Sequence, residues 1–273
     1  MSRRAPLPLA GTAMALVLAL ALAGAPATAQ VPDQQTALAA SQAALGRTVG
    51  DHAFRDTARR PVRLADFRGR PLVVNLVYTA CSQACPLVVQ TLYPAVEAAQ
   101  DALGEGAFTV LTIGFDARND TPERMRAFAR SQGVDLPNWV FLSADQPTID
   151  RLAADLGFTI TPTAQGLDHV AQVSVIDPEG RVYRQIYGGA FGVPALVEPL
   201  KELVFGTRSG WTTLDGLINR VRLFCTLYDP RNARYRFDWS VFIGIAIGAA
   251  SLSGVAFFVL REWRRAAHHG PGT

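Results

Sequence analysis

The stretch Leu72-Val73-Val74-Asn75-Leu76-Val77-Tyr78-Thr79-Ala80-Cys81-Ser82-Gln83-Ala84-Cys85-Pro86 decides how this chain is read. Leu72 to Tyr78 is a short, β-branched, apolar run of the kind that forms a parallel strand buried on both faces. Two cysteines four positions apart end it, and Pro86 to Leu103 follows with helical spacing. The cysteines therefore fall at a strand-to-helix junction, where Pro86 suits the first turn of the helix.

Outward from this junction the alternation continues. Phe108 to Phe115 reads as a strand. Thr121-Pro122-Glu123 is a start signal for a helix from Pro122 to Gln132; a strand Trp139 to Leu142 and a helix Pro147 to Leu156 come next. Val170 to Ile176 and Val182 to Tyr187 flank the turn sequence Asp177-Pro178-Glu179-Gly180 and predict a hairpin. A helix from Pro194 to Phe205 closes the unit. Strands alternating with helices predict an α/β domain of thioredoxin-like fold over residues 49–205, a central mixed sheet flanked by helices. The polar, Ala-rich stretch Gln30 to Gly50 reads as a linker or a surface helix, and the linker is assigned to residues 30–48.

Both ends are apolar. Arg3 and Arg4, the stretch Leu7 to Ala25 and the small-residue pattern Ala27-Thr28-Ala29 read as a secretory signal over residues 1–29. Trp239 to Leu260 runs for 22 residues without a charge. At about 1.5 Å rise per residue that is enough for a hydrocarbon core of roughly 30 Å, so residues 239–260 are expected to form a transmembrane helix. A cleaved signal and one late span place the main domain and the connector 206–238 on the periplasmic or extracytoplasmic side of the cell membrane. The tail 261–273 is then cytoplasmic. Arg220, Arg222, Arg231, Arg234 and Arg236 precede the span and Arg261, Arg264 and Arg265 follow it, so charge alone points the other way. The signal takes precedence, because translocation is committed before the last helix emerges.

The chain has 25 Arg, a single Lys at Lys201, and a net charge of +3. No basic run is interleaved with aromatics, so nucleic-acid binding has no support.

Cys81 and Cys85 carry the chemistry. Positions i and i+4 share a helix face, so both sulfurs can meet one metal ion or each other. The helix N-terminus favours thiolate over thiol. A static disulfide is the plain alternative in an exported protein, but closing so short a loop removes little unfolded-chain entropy. Structural zinc wants four ligands, and there is no second cysteine pair. His169, in Leu167-Asp168-His169-Val170, stands just before the expected hairpin strand, in a loop that a thioredoxin-like layout lays over the cysteine junction. Two thiolates and an imidazole make a soft three-coordinate site suited to Cu(I), with nitrogen character enough for Cu(II). Cys225 reads as a buried apolar cysteine, with intermolecular pairing or a reactive thiol as the alternative. His52, His268 and His269 read as surface residues.

Tyr78-Thr79-Ala80-Cys81-Ser82-Gln83-Ala84-Cys85-Pro86, Phe115-Asp116 with Asp120-Thr121-Pro122-Glu123, and Asp168-His169 with Ile176-Asp177-Pro178-Glu179-Gly180 resemble the Sco/SenC family, in the family's motif order, over about Val49 to Phe205. The resemblance implies a thioredoxin-like copper chaperone that helps assemble the copper site of cytochrome c oxidase subunit II. Some members are thiol–disulfide oxidoreductases. By matching position it implies Cys81, Cys85 and His169 as copper ligands. The chain departs from the family in having Ser82-Gln83-Ala84 where Pro-Asp-Val or similar is common, and in an anchor near its C-terminus rather than its N-terminus.

Two functions follow as expectations. The first is a membrane-anchored metallochaperone that passes copper to subunit II or to another copper-accepting exported protein. The second is an oxidoreductase acting through Cys81 and Cys85 on a disulfide-bearing exported protein. A peroxide-reducing enzyme shares the fold, but its Pro-Thr-Cys pattern is absent.

Overall fold

The structure is a computed structural model that describes residues 34–81, 84–163, 166–206, 226–229 and 234–268. The signal expected at residues 1–29, Cys225, most of the 206–238 connector and His269 lie outside the described residues.

A helix α1 (Gln34–Gln42) leads into β1 (Ala53–Asp56) and β2 (Pro61–Arg63). Then come β3 (Leu72–Val77), α2 (Ala84–Leu103), β4 (Thr109–Gly114), α3 (Pro122–Ser131), β5 (Trp139–Ser143) and α4 (Gln146–Leu156). A separate hairpin of β6 (Ile160–Thr163) and β7 (Gly166–His169) is followed by β8 (Gln172–Ile176), β9 (Val182–Tyr187) and α5 (Val193–Lys201), which runs into a π turn at Glu202–Gly206. The expected elements are present with ends shifted by a few residues. The main difference is that His169 does not adjoin a strand starting at Val170. It ends β7, and β8 begins at Gln172.

Seven strands form one mixed sheet in the order β2-β1-β5-β4-β3-β8-β9. β3, β4 and β5 are parallel, and the outer pairings are antiparallel. Residues alternate across a strand, and β3 shows it. Val73 and Val77 pack under α2, α3 and α5 with Val89, Leu92, Met125 and Leu196, whereas Leu72, Val74 and Leu76 pack on the other face with Ile149, Leu152 and Leu156 of α4. All six β3 residues are buried, which is why the run carries no polar alternation. Asn75 is the exception; its Oδ1 accepts from the Thr112 hydroxyl at 2.7 Å.

The helix ends follow local chemistry. Thr121 caps α3 through its hydroxyl, and Asp145 caps α4 by accepting from the Thr148 N–H at 2.9 Å. Gly157 ends α4 at φ +64°, and a Cβ there would lie 2.4 Å from the Ala40 carbonyl. Glycine is what lets α1 approach that close.

Beyond the domain, β10 (Thr226–Asp229) and β11 (Arg234–Phe237) form a second hairpin, and α6 (Ser240–His268) follows after two residues. Both hairpin strands are tied to α5. The buried Lys201 ammonium donates to the Thr226 carbonyl at 2.9 Å and pairs with Glu198, and the Tyr235 hydroxyl donates to Glu198 at 2.9 Å. In α6, Phe242–Arg261 has a mean hydropathy of 2.2 and none of it is buried in the protein, so this helix is long and apolar enough to cross a membrane.

Candidate metal and thiol centre

The parallel strands β3 and β4 end side by side, and the loops that leave them meet at the start of α2. Cys81 lies in the first of these loops, where its N–H donates to the Tyr78 carbonyl at 3.1 Å and closes a turn. Cys85 lies in the first turn of α2 and is 1% exposed, whereas Cys81 is half-buried. Both are thiols. The backbone N–H of Cys85 donates to the Cys81 sulfur at 3.4 Å. The positive end of α2 therefore meets the outer sulfur, where it stabilises negative charge.

The inner thiol behaves differently from the sequence-based expectation. Burial pushes Cys85 from 9.0 up to about 12, and the charges of Cys81 and Asp120 add to the rise. Helix-end stabilisation of a thiolate does not overcome desolvation at this buried sulfur.

His169 sits on three aromatic rings. Its centroid is 5.2 Å from Phe115, 5.3 Å from Phe158 and 6.3 Å from Tyr78. Its Nδ1 lies 3.2 Å from the Val170 carbonyl. A carbonyl only accepts, so in this contact Nδ1 carries the proton and the Nε2 lone pair is left for a ligand. Burial lowers the imidazole's proton affinity, against the raising effects of Val170 and Asp168, and so favours the neutral ring that a metal requires.

Among the described residues no three His, Cys, Asp or Glu side chains converge into a ready-made metal cage. The structure brings Cys81 and Cys85 together and sets His169 beside the ring of Tyr78. Sequence reasoning gave Tyr78 no role, yet it joins the two parts. Burial first, and then interaction with Cys81, raise its hydroxyl pKa, while a hydrogen bond from the backbone of Leu167 on β7 opposes the rise. The phenol thus touches both the cysteine loop and the hairpin that carries the imidazole. A cavity of about 650 Å³ reaches His169, lined among others by Leu38, Thr159, Thr161, Asp168 and Tyr187.

His52, read from sequence as a surface residue, is buried and bonded through Nε2 to Asp155 at 2.8 Å. The contact comes from a residue on α4 about a hundred positions away, which no local pattern announces.

A family model described as SCO1/SenC matches residues 40–204, more than half of the chain. The SCO1 protein homolog of Bacillus subtilis (strain 168) is 25% identical over 156 residues, covering 55% of this chain and 78% of that protein. Among solved structures, one from Aquifex aeolicus VF5, described as a candidate electron transfer protein, is 27% identical with a TM-score of 0.54. It covers 59% of this chain and 95% of its own. Yeast Sco1 with copper bound shares the fold at 14% identity and a TM-score of 0.51, over 63% of this chain and 98% of its own.

Proposed function

The chain belongs to the SCO1/SenC family, and from that premise we propose that it is a membrane-anchored copper metallochaperone, with Cys81, Cys85 and His169 as the ligands of its cargo. The observation that carries this reading is the Cys85 N–H on the Cys81 sulfur, with a neutral imidazole one aromatic ring away. Two sulfurs and one nitrogen form a soft donor set that favours Cu(I) and tolerates Cu(II). The copper held in the yeast Sco1 structure is the metal such a set favours.

Uptake exchanges protons for metal: two thiols lose two protons as two sulfur–copper bonds form. At Cys85 the buried sulfur resists becoming a bare thiolate, and the cation supplies the charge that makes its ionised form acceptable there. Cys81, the more exposed sulfur, is the natural point of exchange with an acceptor. The cavity beside His169 offers an approach for the acceptor's binding loop. The acceptor is cytochrome c oxidase subunit II or another copper-accepting exported protein. The domain faces the extracytoplasmic side, held there by α6.

A second reading is thiol–disulfide exchange, favoured by the difference in burial between the two sulfurs. Cys81 would attack a partner's disulfide and expel the partner's thiolate, and Cys85 would then attack Cys81 in the mixed disulfide. Exchange needs no imidazole, whereas the copper site does.

The direct test is transfer. Reduced full-length chain in detergent, loaded with one equivalent of Cu(I), is mixed with the metal-free soluble domain of an oxidase subunit II, and copper is followed by its redistribution after separation. Copper passing to the acceptor supports the chaperone reading; copper retained while an acceptor disulfide is reduced favours exchange.

A further inference from the structure

Asp120 is 1% exposed, and the ion pairs among the described residues do not include it. Burying a carboxylate without a cation is costly unless hydrogen bonds compensate, and here they come from the two loops of the site. Its Oδ1 accepts from both the backbone N–H and the hydroxyl of Thr79, each at 2.8 Å, and its Oδ2 accepts from the Asp116 N–H at 2.9 Å. Thr79 stands two residues before Cys81. The cap of α3 is supplied by Thr121, so Asp120 does not serve the helix that follows it. Space for it is made at the end of β4: a Cβ on Gly114 would lie 2.3 Å from the Asp120 Cβ. The separation of 41 positions between Thr79 and Asp120 makes this a tertiary clamp rather than a local turn.

We propose that Asp120 is a positioning residue for the cysteine pair: through Thr79 it fixes the Tyr78–Cys81 turn, so that the Cys81 sulfur is held on the N-terminus of α2 beside Cys85. This rests on the reading of Cys81 and Cys85 as the working pair, and it holds for copper uptake and for thiol exchange alike. The carboxylate touches neither metal nor partner. It acts through the loop, by keeping the two sulfurs within reach of each other.

The test uses the reduced full-length chain in detergent, equilibrated anaerobically with glutathione buffers. Two protein thiols and one oxidised glutathione give one Cys81–Cys85 disulfide and two reduced glutathiones, and peptide mass mapping after alkylation reports the ratio at that pair. Asp120→Ala should lower the equilibrium constant for disulfide formation at least tenfold, a shift of about 30 mV for a two-electron couple. Thr79→Ala, which removes one of the two hydrogen bonds, should move it the same way by less. Asp120→Asn, which keeps an acceptor oxygen for Thr79, should recover most of the loss. His52→Ala breaks a buried pair under α4, on the opposite face of the sheet from α2; it should lower the melting temperature and leave the equilibrium constant unchanged.

An Asp120→Ala constant within twofold of the wild type, or an equal shift in His52→Ala, overturns the proposal. If Asp120→Ala does not fold, the Thr79→Ala shift decides alone. Failure of the copper reading would show separately, as a wild-type chain that binds no copper, which this equilibrium does not use.

Discussion

The backbone N–H of Cys85 donates to the sulfur of Cys81 across 3.4 Å, so the first turn of α2 is itself part of the thiol site. The outer sulfur gains the helix end and partial exposure, and the inner sulfur gains burial and a thiol pushed up to about 12. The two cysteines are therefore unequal partners although they lie only four residues apart.

That inequality predicts how serine replacements differ. Cys81→Ser and Cys85→Ser should each abolish one-to-one copper binding, because a hydroxyl is a poor ligand for soft Cu(I). Cys85→Ser should also destabilise the fold, by about 1–3 kcal/mol, since it puts a hydroxyl in a core site; Cys81→Ser should not. Copper stoichiometry by metal analysis and chemical denaturation of the metal-free proteins measure the two effects. Unchanged copper stoichiometry in both variants would remove the ligand assignment.

Acid stability has a defined sign at the contact between the β1–β2 turn and α3. The hydrogen bond from the Arg59 guanidinium, chiefly, holds the Glu123 carboxyl at about 2 instead of 4.5. A carboxyl with a depressed value in the folded state stabilises it above the ordinary value and loses that effect as pH falls through the depressed one. The stability gap between wild type and Arg59→Ala should thus be present at neutral pH and close between about pH 4.5 and pH 2. Both side chains are exposed, so the gap should be small and should shrink in high salt. A gap that opens on acidification would contradict the assignment.

The anchor makes a separate prediction. If α6 crosses the membrane as proposed, full-length protein should stay with membranes through high-salt and alkaline washing, because an apolar span is not released by screening charge. Protein truncated before Phe237 should be released into the soluble fraction after export. A reporter fused after Thr273 should behave as cytoplasmic. An extracytoplasmic reporter would mean that the arginines before the span set the topology and that the cysteine site faces the other compartment.

Where one buried element dominates a segment, the fold was readable. Leu72 to Val77 is apolar but for Asn75 because both faces of β3 are covered, and Thr121-Pro122 announces a helix through capping chemistry that acts within one turn. The short strands were not readable. Arg55, Asp56 and Arg63 lie in β1 and β2 at the edge of the sheet, and Pro162 lies in β6, all residues that argue against a strand when read locally. The cysteine pair was legible because its spacing is local. Its supports were not, for Tyr78 meets Leu167 and Asp120 meets Thr79 only once the sheet has formed. Nor did spacing reveal the Phe115 and Phe158 rings that hold His169.

The central claim is that His169 completes a copper site with the two cysteines, and anaerobic copper titration of the reduced full-length chain in detergent, beside His169→Ala, tests it most directly. Competition with a Cu(I) chelator gives affinity, and metal analysis gives stoichiometry. The account predicts one copper per chain, bound at least tenfold more weakly without the imidazole, while Cys81 and Cys85 still form a disulfide in both proteins. Equal copper affinity with and without His169 would contradict it and leave thiol–disulfide exchange as the better reading.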